Sequence, residues 1–356
     1  HVRGVVGVLE AFHFDCNEDV SDNTGATEED LADDQAYDGQ ALARDLTQPL
    51  DAQRDQKVAL AATLTTRVLP PLHEALQVKD EDRLPARLPL IVGAARLAQH
   101  LPKDRQQVEL FKVFASLANA LRSKLQSTRD ACRETALQML RAIGVEYLAS
   151  VVRELRRLLT RGPQLAVCAY TVHSLLVALS TGDEPLLTGL DDGVRDMVEA
   201  AMEDVFGLTA EDRAAVEYRT KVRELRQSKS IDTFEHLARL AEPKCVQELL
   251  LPLRGVLAAS IETKTLRHVD ECLGRIASGL SANTHIDTHD FLVLCYTLIA
   301  KGEKALAQPL ASAPYLTQNA HKFVELGLEL LTTALRRSRF DVHNEETVAR
   351  LVPLVK

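Results

Sequence analysis

Apolar residues recur along most of this chain at the three- and four-residue spacing that lays them on one side of an α-helix. The pattern is sharpest from Val145 to Arg161. At 100° per residue, Leu148, Val151, Val152, Leu155, Leu158 and Leu159 fall within roughly a 120° arc, while Arg153, Arg156 and Arg157 fall opposite, with Arg161 at its edge. One side must pack and the other carries charge in water. The next stretch repeats the apolar half with Leu165, Cys168, Val172, Leu175, Leu176 and Leu179. Between the two, Arg161-Gly162-Pro163 reads as a hinge. Glycine ends a helix in a left-handed or open conformation, and proline opens the next one where a missing N–H costs little. Two amphipathic helices in a tight hairpin are the unit of an α-solenoid.

The same periodicity predicts helices over 54–77 and 84–100, with Pro70-Pro71 kinking or interrupting the first. It predicts further helices over 104–123 and 127–143, with Ser127 as N-cap and Asp130 as its acidic partner. Others follow at 145–161, 164–180, 191–206, 210–226, 229–241, 244–259, 264–282, 288–301, 320–338 and 345–356, with a proline-containing loop around 308–317. Hairpin starts near 54, 104, 145, 191 and 244 lie about 40 to 53 residues apart, close to the period of HEAT and armadillo repeats. The fold class is therefore all-α, an α-solenoid of HEAT/armadillo-like hairpins whose neighbours must stack to bury their faces. Residues 1–14 read as the end of an upstream repeat, 15–53 as an acidic, irregular insertion, and 54–356 as HEAT-like repeats within a longer chain.

Composition agrees with this. The chain has no tryptophan and 4% aromatic residues, so its core must be aliphatic. The formal charge of −9 misleads, because Asp15 to Ala43 holds ten Asp or Glu and no Lys or Arg, leaving the remainder at +1. No continuous apolar run reaches the ~20 residues of a bilayer crossing, so no membrane partner is expected. Six cysteines lack a C-x-x-C pattern, and Cys132, Cys168, Cys272 and Cys295 sit on apolar helix faces, as reduced cysteines in a reducing compartment do.

Candidate chemistry is sparse. His285-Ile-Asp-Thr-His289 has i, i+4 spacing but lacks the glutamate of a zinc protease helix. His173, beside a packed face, reads as a hydrogen-bonded structural histidine. No nucleotide-binding or nucleophile motif occurs, so no catalytic, cofactor or metal residue and no small-molecule substrate is assigned. What remains are four basic clusters: Arg122, Lys124, Arg129 and Arg133; Arg153, Arg156, Arg157 and Arg161; Arg219, Lys221, Arg223, Arg226 and Lys229; and Arg336, Arg337 and Arg339. The second and third hold few acids in their own sequence (Glu154, Glu217, Glu224) and are the candidate contacts to phosphate or to an acidic partner. Aromatic residues do not interleave with them, which argues against base stacking.

Several stretches carry a resemblance. They are Gln126-Ser-Thr-Arg-Asp with Ala136-Leu137, Tyr147-Leu148 with Arg153-Glu154-Leu155 and Leu159-Thr160-Arg161-Gly162, and Tyr170-Thr-Val-His-Ser-Leu-Leu176. Val8 to Asp15, Arg226 to Leu253 and Phe323 to Leu328 add to them. Together they resemble the DRIM (down-regulated in metastasis) family, also called U three protein twenty, the very large HEAT-repeat subunit of the small-subunit processome. Pro163 departs from the family pattern after Arg-Gly. The resemblance implies a non-catalytic nucleolar scaffold that holds pre-ribosomal RNA and processome proteins during 18S rRNA maturation. A protein-only HEAT-repeat adaptor, such as a transport-receptor-like solenoid for acidic or disordered partners, is the alternative.

Overall fold

A computed structural model describes residues 2–10, 50–77, 81–182, 184–207, 222–308, 314–339 and 349. All named elements are helices: α1 Val2–Glu10, α2 Leu50–Thr63, a π-helical turn Leu64–Val68, α3 Leu69–Leu76, α4 Leu84–Arg87, α5 Pro89–Gln99, α6 Lys103–Ala120, α7 Gln126–Ile143, α8 Leu148–Leu158 and α9 Pro163–Ser180. They continue as α10 Val194–Phe206, α11 Arg223–Arg226, α12 Ser230–Leu240, α13 Val246–Ala259, α14 Thr263–Ser281, α15 Thr288–Ala307, α16 Pro314–Asn319 and α17 His321–Arg336. Among the described residues the extended pairing is a single isolated bridge, Leu190 to Ala241. The protein is all-α.

Packing divides the chain into two units, 1–120 and 121–356, a division that the repeat period does not announce. In the first, α1 lies on α5, and a Cβ at Gly93 would stand 2.7 Å from Leu9 Cδ1. His73 of α3 pairs with Glu109 of α6 at 2.8 Å, both buried. In the second, α8, α10 and α13 pack side by side in one row, with α16 against α13. Helices α7, α9, α12, α14 and α17 form a second row behind it, and α15 packs on α17. The core between them is leucine, valine and alanine, with Phe234, Phe291 and Met139 as its largest wholly buried members.

Most predicted helices are present, and the differences have physical reasons. At Pro70-Pro71 the α-helix is interrupted, but only locally and without the chain leaving helical geometry. The turn just before it widens to π geometry, with the Leu69 N–H bonding the Leu64 carbonyl, and the prolines then occupy the first positions of α3, where no donor is needed. Ser127 is not an N-cap: α7 begins at Gln126 behind Leu125, whose extended backbone breaks the chain there. The loop expected at 308–317 instead contains α16, which starts on Pro314. The hinge at 161–163 has the expected form, with Gly162 at φ +49° and Pro163 opening α9. By length and composition α9 is apolar enough to cross a membrane, yet half of that window is buried inside the protein. Only the last turn of the helix expected over 210–226 is described, and the expected helix at 345–356 and the insertion at 15–53 lie outside the described residues, apart from Ala349 and from 50–53 at the start of α2.

Candidate nucleic-acid interface

The arginines of α8 point away from the core, as the pattern requires, but α10 and the turn leading into it supply them with counter-charges. Arg153 pairs with Asp192 and Asp196, and Arg156 pairs with Asp196 and Glu199, the latter two contacts at 2.6 Å. Arg157 turns back to Glu154 one turn earlier, at 2.6 Å. Hydrogen bonds donated to Asp192 and Asp196 hold the Arg153 guanidinium in its charged form. Burial pushes Glu199 upward, but Arg195 and Arg156 hold it below the usual carboxylate range. Four acids, Glu154, Asp192, Asp196 and Glu199, thus pair with Arg153, Arg156 and Arg157. The cluster is a charge lattice between two helices. Arg161, in the hinge, is exposed.

The third cluster divides. Arg219 and Lys221 lie outside the described residues. Arg223 donates to Asp130 at 2.7 Å and lies 5.2 Å from the centre of the Tyr170 ring. Arg226 and Lys229 are exposed, and Lys229 lies 3.2 Å from Asp232.

The first cluster, read in sequence as a basic face, splits: Arg122 and Lys124 are exposed, while Arg129 and Arg133 are internal. Arg129 donates through Nε and Nη2 to the two oxygens of Glu224 at 3.0 and 2.9 Å. Arg133 donates to the same carboxylate, to Asp130 at 2.7 Å and to Thr171 at 3.2 Å, and its guanidinium sits 4.8 Å from the Tyr170 ring centre. Burial works against the charged carboxylate, yet these donors hold Glu224 down at about 2. Arg129, Arg133 and Glu224 are all buried. One acid on α11 therefore ties that short helix to α7, with Thr171 and Tyr170 of α9 alongside. In the fourth cluster, Arg339 donates to the carbonyls of Leu280 and Ile286, both at 2.6 Å, and stacks 4.2 Å from Phe291, while Arg337 donates to the Ser278 carbonyl at 3.1 Å.

Other polar residues escaped the pattern. Asn283 donates to the carbonyls of Ala238 and Ala241 at 2.8 and 2.7 Å, and Asn319 does the same to Leu257 and Ser260 at 2.8 and 3.0 Å. Each asparagine satisfies the open C-terminal carbonyls of a neighbouring helix. A buried asparagine at a helix–loop junction is the only sequence signal they give.

The histidines have structural partners. His173 Nδ1 lies 3.2 Å from Thr233 Oγ1, whose own hydrogen goes to the Lys229 carbonyl at 3.0 Å, so the ring nitrogen must donate. Burial and the facing His236 push His173 down to about 4. His285 donates to the Thr188 carbonyl at 2.7 Å, and Asp287 caps α15 by accepting from the Asp290 N–H. Burial pushes the thiols of Cys132, Cys168, Cys272 and Cys295 up to about 12, as for inert core residues, and Cys16 lies outside the described residues.

Residues 77–299 match the profile of the U3 small nucleolar RNA-associated protein 20 domain, which covers more than half of the chain. The chain belongs to the U3 small nucleolar RNA-associated protein 20 family. A Schizosaccharomyces pombe protein of that name is 26% identical over 303 residues, 82% of this chain and 12% of its own length. A Saccharomyces cerevisiae protein of the same name is 30% identical over 234 residues, 66% of this chain and 9% of its own length. The chain thus spans about a tenth of the length of these U3 small nucleolar RNA-associated relatives. The match takes in the α8–α10 lattice and the Glu224 network, and agrees with the resemblance carried by the motifs of α7 to α9.

Proposed function

We propose that this chain is a stretch of HEAT-like α-solenoid in a non-catalytic scaffold of the small-subunit processome, holding pre-ribosomal RNA and assembly factors in the nucleolus during 18S rRNA maturation. The family match over 77–299 carries the reading. The two rows of helices in the second unit support it, since stacked hairpins leave a long surface on each side. On this reading residues 1–14 end a preceding repeat, 15–53 form an acidic insertion and 54–356 carry the repeats.

Among the candidate basic residues, Arg157, Arg161, Arg226 and Lys229 are selected as phosphate contacts: all four are exposed, and among the described residues Arg157 and Lys229 pair only with an acid one turn away on their own helix, whereas Arg153, Arg156 and Arg223 are held by carboxylates of other elements. Arg219 and Lys221 remain in the proposal through their sequence alone. The test is salt-dependent binding of a structured RNA by the full chain. Changing Arg157, Arg161, Arg226 and Lys229 together to Glu is expected to flatten the plot of log affinity against log salt by about 0.7–0.9 per lost contact. Binding that is indifferent to this change, or no binding at all, sinks the RNA role and leaves the protein-only adaptor.

A further inference from the structure

The front row of the second unit is continuous from α8 through α10 to α13, but it opens between α13 and α15. There the two helices flank a cleft of about 660 Å³ whose end is closed by α16 and the start of α17. Helix α13 lines it with Val246, Gln247, Leu250, Leu251 and Arg254. Helix α15 lines it with positions 294, 297, 298, 301, 302 and 305, which is the same alternation of three and one. Two stripes of helical period facing one gap make a seam into which a third helix can pack. At 1.5 Å per residue the lined lengths, nine residues of α13 and twelve of α15, are roughly 12 to 16 Å, room for two to three helical turns. Leu251, on the rim, is 52% exposed, which is unusual for a leucine on the inward-facing stripe of a packed helix.

The charge on the cleft is one-sided. Its charged lining residues are Arg254 and Lys301, one on each wall, and no carboxylate lines it. Both are exposed, and among the described residues neither makes an ion pair. This sets them apart from the arginines of α8, whose acids are supplied by the neighbouring helix.

We propose that the α13–α15 cleft is the docking site of an acidic amphipathic helix from a partner protein, its apolar stripe against Leu250, Leu251, Leu294 and Leu298 and its flanking carboxylates on Arg254 and Lys301. The observation is a cleft lined from two helices by stripes of helical period, with one cation on each wall. Helix-in-groove recognition of this kind anchors through residues spaced i, i+3 or i+4, and i+7.

The experiment measures binding of two fluorescein-labelled, hydrocarbon-stapled 14-residue helices to the full chain by anisotropy. Both carry leucine at i, i+3 and i+7, and their flanks are glutamate in one and lysine in the other. The glutamate helix is expected to bind saturably and about tenfold more tightly than the lysine helix. Arg254→Glu with Lys301→Glu is expected to invert that preference, and Leu251→Asp to abolish binding of both. Each variant changes an exposed residue, and circular dichroism verifies that the fold is kept. Equal binding of the two helices, a preference unmoved by the double change, or no binding by either overturns the proposal, the last because the chain then closes its own cleft. Displacement of the glutamate helix by single-stranded RNA, dependent on Arg254 and Lys301, also overturns it and makes the cations a phosphate site.

Discussion

At the scale of single residues, the charges that matter most are the ones hidden from water. Glu224 is the shared acceptor for Arg129 and Arg133, and all three side chains are buried. Removing one member of a buried ion network costs more than forming it gains, because the remaining charges stay desolvated and unpaired. Glu224→Gln is therefore expected to destabilise the second unit by about 3 kcal/mol in urea unfolding, with the slope of the transition unchanged. A loss below about 1 kcal/mol would mean that water reaches these arginines. His173 makes a different prediction. Its folded pKa of about 4 lies below the ordinary 6.5, so the folded state binds its proton less readily than the unfolded one. Its share of stability is intact above pH 6.5 and is lost as pH falls from 6.5 through 4, by about 2 kcal/mol once partial exposure is allowed for. His173→Asn keeps a donor toward Thr233 and is expected to flatten the stability profile across that window. An unchanged profile would assign the acid sensitivity to other groups.

At the scale of elements, helix identity was legible because each helix carries its own apolar stripe, and the hinge at Gly162-Pro163 was legible because both residues act locally. Partnership was not. Arg153 and Arg156 lie in a stretch with one nearby acid, yet their partners Asp192, Asp196 and Glu199 stand about forty residues on, in the next helix of the row and just before it. Arg129 and Arg133 look like a surface stripe in sequence and are buried, since their counter-ion is 95 and 91 residues away. Periodicity marks which face packs but not what the polar face meets. The same holds for glycine: Gly279 lies within α14, where the sequence offers no reason for it. The structure supplies one. A Cβ there would lie 2.3 Å from the Glu235 carbonyl oxygen and 2.7 Å from Ala238 Cβ, both on α12. Backbone cannot retreat as a side-chain tip can. Gly279→Ala, which would gain roughly 1 kcal/mol of helix propensity on an open surface, is instead expected to lower stability by about 1–3 kcal/mol through overpacking. Thermal melts of the two proteins decide the sign, and a stabilised variant would show that α12 and α14 can part without cost.

At the scale of the whole molecule, the division at residue 120 makes each disturbance local. Within 121–356 each helix touches chiefly its neighbours in the two rows, so stability there is a chain of nearest-neighbour terms and a lost contact weakens the helices beside it first. The Glu224 network joins α11 to α7, beside α9, while the first unit has its own buried pair in His73 and Glu109. In Glu224→Gln, amide hydrogen exchange is expected to accelerate most in α7, α9 and α11, less in α12 and α14, and not at all in α5 and α6. His73→Ala should do the reverse, raising exchange in α3, α5 and α6 and leaving α12 and α14 unmoved. A single cooperative block would respond uniformly to both variants. That outcome would reject the two-unit division, and with it the nearest-neighbour stacking on which a repeat scaffold depends.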